Sequence, residues 1–305
     1  MARRLRLQFE GALYHVINRG NYRRDVFGSE GASRAFLTTL GEACERHAFR
    51  VHAYVVMSNH YHLALETPQA NLVAGMHWLQ STFSSRFNRF RRVRGHLFQG
   101  RYQALLIEDA AALTRVVSYI HLNPLRARMI TPNALASFTK SSLRSFVLGP
   151  RPAWLRPDMF LESLGLSDTE AGWKNYQEHL TALADDRASQ AQQGFDQMQC
   201  GWAIGTDAWR KAVARDYQHL ALAPDIAAAE LRDLKETRWQ KALDSALLHH
   251  AKGPREIVSD PKSARWKIEI AIQLRRRVAA PHRWIAEKLH MGSPAAVRVN
   301  VARFS

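Results

Sequence analysis

Met57-Ser58-Asn59-His60-Tyr61-His62-Leu63-Ala64-Leu65 is the stretch on which the reading of this chain turns. The side chains of a strand alternate between its faces, so His60, His62 and Ala64 stand on one side and Tyr61, Leu63 and Leu65 on the other. The apolar trio faces a core. The two imidazoles then sit roughly 7 Å apart at their Cα atoms by strand rise, on a face where both reach one metal ion. A lone His-x-His equally fits two polar residues on the open face of a half-buried sheet, so the surrounding sequence has to decide.

Upstream, residues 13–18 read as a strand stopped by the turn Arg19-Gly20-Asn21. Residues 33–47 read as a helix with Ser33 as N-cap and Phe36, Leu37, Leu40 and Cys44 on one stripe. A strand over residues 51–57 is joined to the strand at 60–66 by the short Ser58-Asn59 link of a hairpin. Downstream come a long helix from Leu72 to about Phe90, a strand at 103–108, and a helix over 111–121 closed by Asn123-Pro124. The order β-α-β-β-α-β-α predicts an α+β domain, a ferredoxin-like split βαβ antiparallel sheet with one added, site-bearing helix at its C-terminal end.

Four segments are expected: this domain over residues 1–130, an irregular Pro- and aromatic-containing extension over 131–167, a helical linker region over 168–255, and a helix-turn-helix over 256–305. In the last, residues 266–278 support a pair of short helices joined by Met291-Gly292-Ser293, with Pro294 at the first position of the final helix. The chain has 305 residues, 46% of them hydrophobic, and a formal charge of +16, which points to an anionic partner such as nucleic acid. Its two cysteines, Cys44 and Cys200, form no CxxC and imply neither a disulfide framework nor a thiolate zinc site. No apolar segment follows the basic residues at the N-terminus and no run of 18 apolar residues occurs, so secretion and membrane spanning are disfavoured and a cytoplasmic, DNA-associated location is expected.

The last helix of the first domain carries Tyr119-Ile120-His121-Leu122-Asn123-Pro124. At 100° per residue, Leu113, Val116, Val117 and Ile120 form the buried stripe, Arg115, Tyr119 and Asn123 line one flank, and His121 falls on the other. Tyr119 and Asn123 present a phenol and a carboxamide to one point. A tyrosine attacking a phosphodiester needs a Lewis acid nearby, because its ordinary pKa of about 10 leaves it protonated at neutral pH. His60, His62 and Asn123 form a candidate ligand set for a divalent ion, Mn²⁺ or Mg²⁺. Tyr102 and Tyr61 are rival nucleophiles, Tyr61 disfavoured by a parity that turns it to the core. No acidic residue lies between Glu66 and Glu108, a segment that holds Arg86, Arg89, Arg91, Arg92, Arg94 and Arg101. With Arg19, Arg115 and Arg298 these are the candidate phosphate contacts. The interleaved Phe83, Phe87, Phe90, Phe98 and Tyr102 are either stacking surfaces for unpaired bases or helix packing, and the spacing of the phenylalanines favours packing.

Four ordered motifs, Tyr14-His15-Val16-Ile17-Asn18-Arg19-Gly20, Val56-Met57-Ser58-Asn59-His60-Tyr61-His62, Gly95-His96-Leu97-Phe98-Gln99-Gly100-Arg101-Tyr102 and Tyr119-Ile120-His121-Leu122-Asn123-Pro124-Leu125-Arg126-Ala127, resemble the REP-associated tyrosine transposases of the HUH single-tyrosine superfamily. The resemblance covers about residues 5 to 165. It implies a catalytic domain that cuts single-stranded DNA beside a REP-type hairpin, leaving a 5′-phosphotyrosine and a free 3′-OH for strand transfer. By position it makes His60 and His62 the metal ligands and Tyr119 the nucleophile. Two departures stand out: Tyr61 occupies a place where the motif has an aliphatic residue, and Asn123 one where relatives carry glutamine. The expected partner is single-stranded hairpin DNA, with duplex DNA at the helix-turn-helix, for a monomer or a homodimer. The competing reading is a non-catalytic, sequence-specific DNA-binding regulator.

Overall fold

The computed structural model describes residues 7–216, 232–278 and 280–304. Residues 1–6, read above for the missing apolar segment, and 217–231, within the expected linker, lie outside the described residues. By its contacts the chain divides into two compact units, one within residues 7–206 and one within 207–304.

The first unit is built on β1 (Ala12–Arg19), α1 (Glu30–His47), β2 (Arg50–Val56), β3 (His60–Thr67), α2 (Leu72–Arg91), β4 (Gln103–Ile107) and α3 (Ala110–Arg126). The strand order β2-β3-β1-β4, with every neighbouring pair antiparallel, is that of the split βαβ arrangement. A short β5 (Ala203–Ile204), which the sequence did not suggest, adds to β4 in parallel.

One face of the sheet is covered by α1 and α2. Tyr61 meets Phe27, Phe36 and Phe98 there, with Phe83 of α2 stacked on Phe27, at ring-centroid distances of 4.7 to 6.2 Å. Each fully buried aromatic contributes about 2–3 kcal/mol by area removed from water. Gly75 is required on this face: a Cβ there would lie 2.1 Å from Phe49 Cζ. The N-cap of α1 is Ser29, whose Oγ accepts from the Ala32 N–H at 3.3 Å, and not Ser33. Ser33 is buried one turn in and donates its hydroxyl to the Phe27 carbonyl. A serine inside the first turn has the same local sequence signal as one at its start.

The other face is covered by α3. This helix does not stop before Pro124 but runs through it to Arg126. A proline in the last turn forfeits only one backbone bond, and the Ala127 N–H still reaches the Asn123 carbonyl. Nearly every residue of α3 from Ala112 to Pro124 is buried, because residues 131–206 wrap its far side. There α4 (Ser142–Val147), α5 (Asp158–Ser163) and α6 (Glu170–Asp185) supply a cluster of Phe146, Phe160, Trp173 and Tyr176, followed by α7 (Arg187–Gln192). His121, on the flank opposite Tyr119 and Asn123, is fully buried, bonded to the Tyr176 hydroxyl at 2.9 Å and Ser142 Oγ at 2.8 Å. Residues 168–206, expected within a linker, therefore pack as part of the first unit. The amphipathic aromatic spacing of α6 is what ties them down.

In the second unit α8 (Asp207–Asp216) packs on α9 (Arg232–His249), followed by α10 (Pro254–Ser259), α11 (Arg265–Val278), α12 (His282–Lys288) and α13 (Pro294–Phe304). Ile270, Ala271, Leu274, Trp284, Ile285 and Val297 share one core. Gly292, at φ +86°, makes the turn between α12 and α13. Among the described residues no helix is long and apolar enough to cross a membrane.

Candidate active site

The register of β1 against β3 decides what surrounds the histidine pair. Arg19 lies opposite His60, Ile17 opposite His62, and His15 opposite Ala64. Directly opposed residues share a face, so His15 joins His60 and His62 beneath α3. His62 and His15 are fully buried and His60 is half-buried. The His62 ring centroid is 5.1 Å from that of His60 and 5.1 Å from that of His15.

The hydrogen bonds of the three rings differ. His60 donates from Nδ1 to Asn59 Oδ1 at 2.7 Å. Asn59 is itself fixed, its carbonyl accepting from the Gly20 N–H at 2.7 Å. His15 Nδ1 meets the Met198 carbonyl at 2.9 Å and its Nε2 meets His62 Nδ1 at 3.0 Å. His62 Nε2 is buried with no hydrogen-bond partner. Burial pushes His15 down to about 3 and, with Arg19 adding repulsion, His60 down to about 4. His62 is pushed well below the usual histidine range, by burial first and then by its two histidine neighbours and Arg19. All three rings are therefore neutral at neutral pH, the form in which imidazole binds metal.

Tyr119 projects from α3 onto this cluster, its ring 5.7 Å from His62 and 5.9 Å from His15, both nearly perpendicular. It is 3% exposed. Phe195 closes on it edge-on at 5.4 Å, the Arg126 guanidinium lies 5.1 Å over its ring, and Gln199 donates to its hydroxyl at 2.5 Å. The tyrosine and the histidines meet within one chain. Asn123, one turn further along α3, is buried, and its Nδ2 has no partner. No contact between its side chain and the histidines is recorded among the described residues, although it shares the Tyr119 side of the helix as the wheel predicts. Of the rival tyrosines, Tyr61 is buried on the opposite face, its hydroxyl accepting from Gln80 at 2.8 Å, and Tyr102 is buried as well.

Among the described residues no group of three or more His, Cys, Asp or Glu is set to hold a metal ion. The two imidazoles have the chemistry for one. His62 has an unpartnered, buried Nε2 and the adjacent His60 has its Nδ1 already committed, so two neutral imidazoles stand together in the form a divalent transition ion takes, while the Asn123 carboxamide is not seen to join them. His15 is not a ligand, since both its nitrogens are bonded.

The arginines divide. Arg86 is committed to Glu42 at 2.8 Å and to Thr39, and Arg91 bonds Ser29 Oγ and lies over Phe87. Arg89, Arg92, Arg94 and Arg101 are exposed, Arg19 is half-buried beside His60, and Arg115 is half-buried on α3. Arg298 is exposed on α13. Phe83, Phe98 and Tyr102 are buried, whereas Phe90 is 83% exposed. A cavity of about 490 Å³ opens beside α2, lined by Asn21, Gln80, Ser84, His96 and Arg101 among others. A second, of about 450 Å³, is lined by Arg126, Arg128, Arg187 and Asp196.

Sequence reasoning missed His15, Phe195, Met198 and Gln199. Strand parity could have found His15 once β1 and β3 were paired, since its motif was already singled out. The other three come from a segment whose sequence carries no signal of proximity to the site.

Residues 8–123 match the family described as Transposase IS200 like. A solved structure described as a REP-associated tyrosine transposase bound to a REP hairpin aligns with 52% of this chain and 93% of its own, at 16% identity and a TM-score of 0.41. No curated protein matches the chain. The matched segment, 8–123, holds the strands β1 to β4 of the antiparallel sheet and the start of α3, and it is this part of the chain that is similar to the IS200-like transposases.

Proposed function

We propose that the protein is a metal-dependent single-stranded DNA endonuclease and strand transferase that cuts beside REP-type hairpins, with Tyr119 as nucleophile. The observation that carries this reading is the placement of the Tyr119 ring 5.7 Å from a buried His62 whose Nε2 has no partner. His60, His62 and Asn123 would hold a divalent ion, Mn²⁺ or Mg²⁺, which when bound supplies a Lewis acid that polarises the scissile phosphate. Tyr119 Oη forms a bond to phosphorus in line with the departing 3′ oxygen. The phenol proton is given up, the P–O3′ bond breaks, and the 3′ oxygen leaves as a hydroxyl after taking a proton. The 5′-phosphotyrosine retains the bond energy, so a second 3′-OH can reverse the step on a new strand without a nucleotide cofactor.

The exposed Arg89, Arg92, Arg94 and Arg101, in a segment with no acid, neutralise the incoming backbone, and Arg19 does so next to His60. Exposed Phe90 offers a base a stacking surface. End-labelled hairpin DNA incubated with protein and Mn²⁺ should give a covalent adduct on a denaturing gel. The adduct should vanish in Tyr119→Phe and on chelation, and fall severely in His60→Ala.

The second reading, a non-catalytic regulator, rests on α12 and α13 with the tight Gly292 turn and exposed Arg298, which suit a helix-turn-helix on duplex DNA. It predicts no adduct on any such hairpin, with duplex binding weakened by Arg298→Ala.

A further inference from the structure

Three histidines meet under α3, yet only two have a nitrogen to offer. What the third does follows from the direction of its hydrogen bonds. A backbone carbonyl can only accept, so His15 Nδ1 carries the proton it gives to the Met198 carbonyl at 2.9 Å. His15 is fully buried, and no ion pair is recorded for it among the described residues, so the ring is neutral and its Nε2 holds a lone pair. The bond of 3.0 Å between that Nε2 and His62 Nδ1 then requires the proton on His62 Nδ1. His62 is left with its lone pair on Nε2, the buried atom with no partner.

We infer that His15 is a positioning residue: it passes the polarity of the Met198 carbonyl to His62 and fixes the tautomer in which His62 Nε2 is a metal ligand. The inference rests on the metal-site reading above and adds a dependence to it. The carbonyl lies in the segment 195–199, well outside the matched residues 8–123. That segment touches the site at three points: Phe195 on the Tyr119 ring, the Met198 carbonyl on His15, and Gln199 on the Tyr119 hydroxyl. It is anchored behind by β5 on β4 and by Gln103 Nε2, which donates to the Gln199 carbonyl at 2.9 Å. His62 and Tyr119, the two groups assigned to the chemistry, are thus both oriented by one strap from the extension. Neutral imidazole otherwise distributes between two tautomers, and the wrong one would place an N–H where a ligand lone pair is needed.

The test uses the full chain with ¹⁵N-labelled histidine. Long-range ¹H–¹⁵N correlation of the metal-free protein should show His15 and His62 both protonated at Nδ1 and bare at Nε2. In His15→Leu, the His62 signals should shift toward the Nε2-protonated form, and Co²⁺ affinity, read by visible absorption, should fall about 10- to 100-fold. His15→Gln should restore both, because its Oε1 can accept from His62 while its Nε2 donates to the Met198 carbonyl. A side chain that merely filled space would not separate leucine from glutamine in this way. Protonation of His62 at Nε2 in the unaltered protein overturns the inference without any variant having to fold. So does a His15→Leu protein with unchanged tautomer and Co²⁺ affinity. If the unaltered protein shows the Nδ1 tautomers but takes up no Co²⁺, the relay stands and the metal-site reading fails.

Discussion

The two faces of β3 are both buried at the centre of the strand and built from opposite chemistry. On the face of α1 and α2, Tyr61 sits among phenylalanines and its one polar atom accepts from Gln80. On the face of α3, His62 sits at the same 0% exposure among imidazoles and a phenol, with Nε2 unpaired, and on α3 itself Asn123 Nδ2 is buried without a partner. A buried polar atom without a partner costs about 1–3 kcal/mol. One face therefore stabilises the fold, while the other carries a cost that packing elsewhere offsets.

Truncation on the first face should have the largest effect on stability. Phe36→Ala, in contact with both Tyr61 and Phe83, should cost about 3–5 kcal/mol in denaturant unfolding. On the second face, Asn123→Leu removes an unpaired amide at similar volume and should change stability by no more than about 1 kcal/mol, in either direction, while adduct formation drops. A loss as large as that of Phe36→Ala would remove the distinction between the faces. The smallest effect belongs to the extension that covers α3, where Arg151 and Trp173 hold the Asp168 carboxyl below its usual range. A depressed carboxylate contributes stability above its unfolded pKa and loses it as pH falls through the folded one. Asp168→Asn should thus cost a few tenths to about 1 kcal/mol at pH 7, and the difference from the unaltered protein should close below pH 4 in a thermal-melt series.

The same contrast explains what the sequence could tell. Alternation along His60 to Leu65 assigned both faces of β3, and the wheel of α3 put Tyr119 and Asn123 on one side, because both rest on local backbone periodicity. The order of elements, and with it the split βαβ sheet, was legible for the same reason. Local signals failed where two residues compete for one role, as Ser29 and Ser33 do for the N-cap, and where helix geometry outlasts a proline, as at Pro124. They were silent on Met198 and Gln199, whose place at the site depends on the packing of the entire extension from α4 to β5. Burial of α3 on its far side was hidden in the same way, since the aromatics that cause it, Trp173 and Tyr176, lie in a different stretch of sequence.

The central claim is that Tyr119, held against His62 in the same chain, is the residue that becomes joined to DNA. Mass-spectrometric mapping of the covalent adduct formed with hairpin DNA and Mn²⁺ tests it most directly. The account predicts a nucleotide on the tryptic peptide that begins at Val116 and ends at Arg126, carried by Tyr119. An adduct on Tyr61 or Tyr102, or one that persists in Tyr119→Phe, would contradict it.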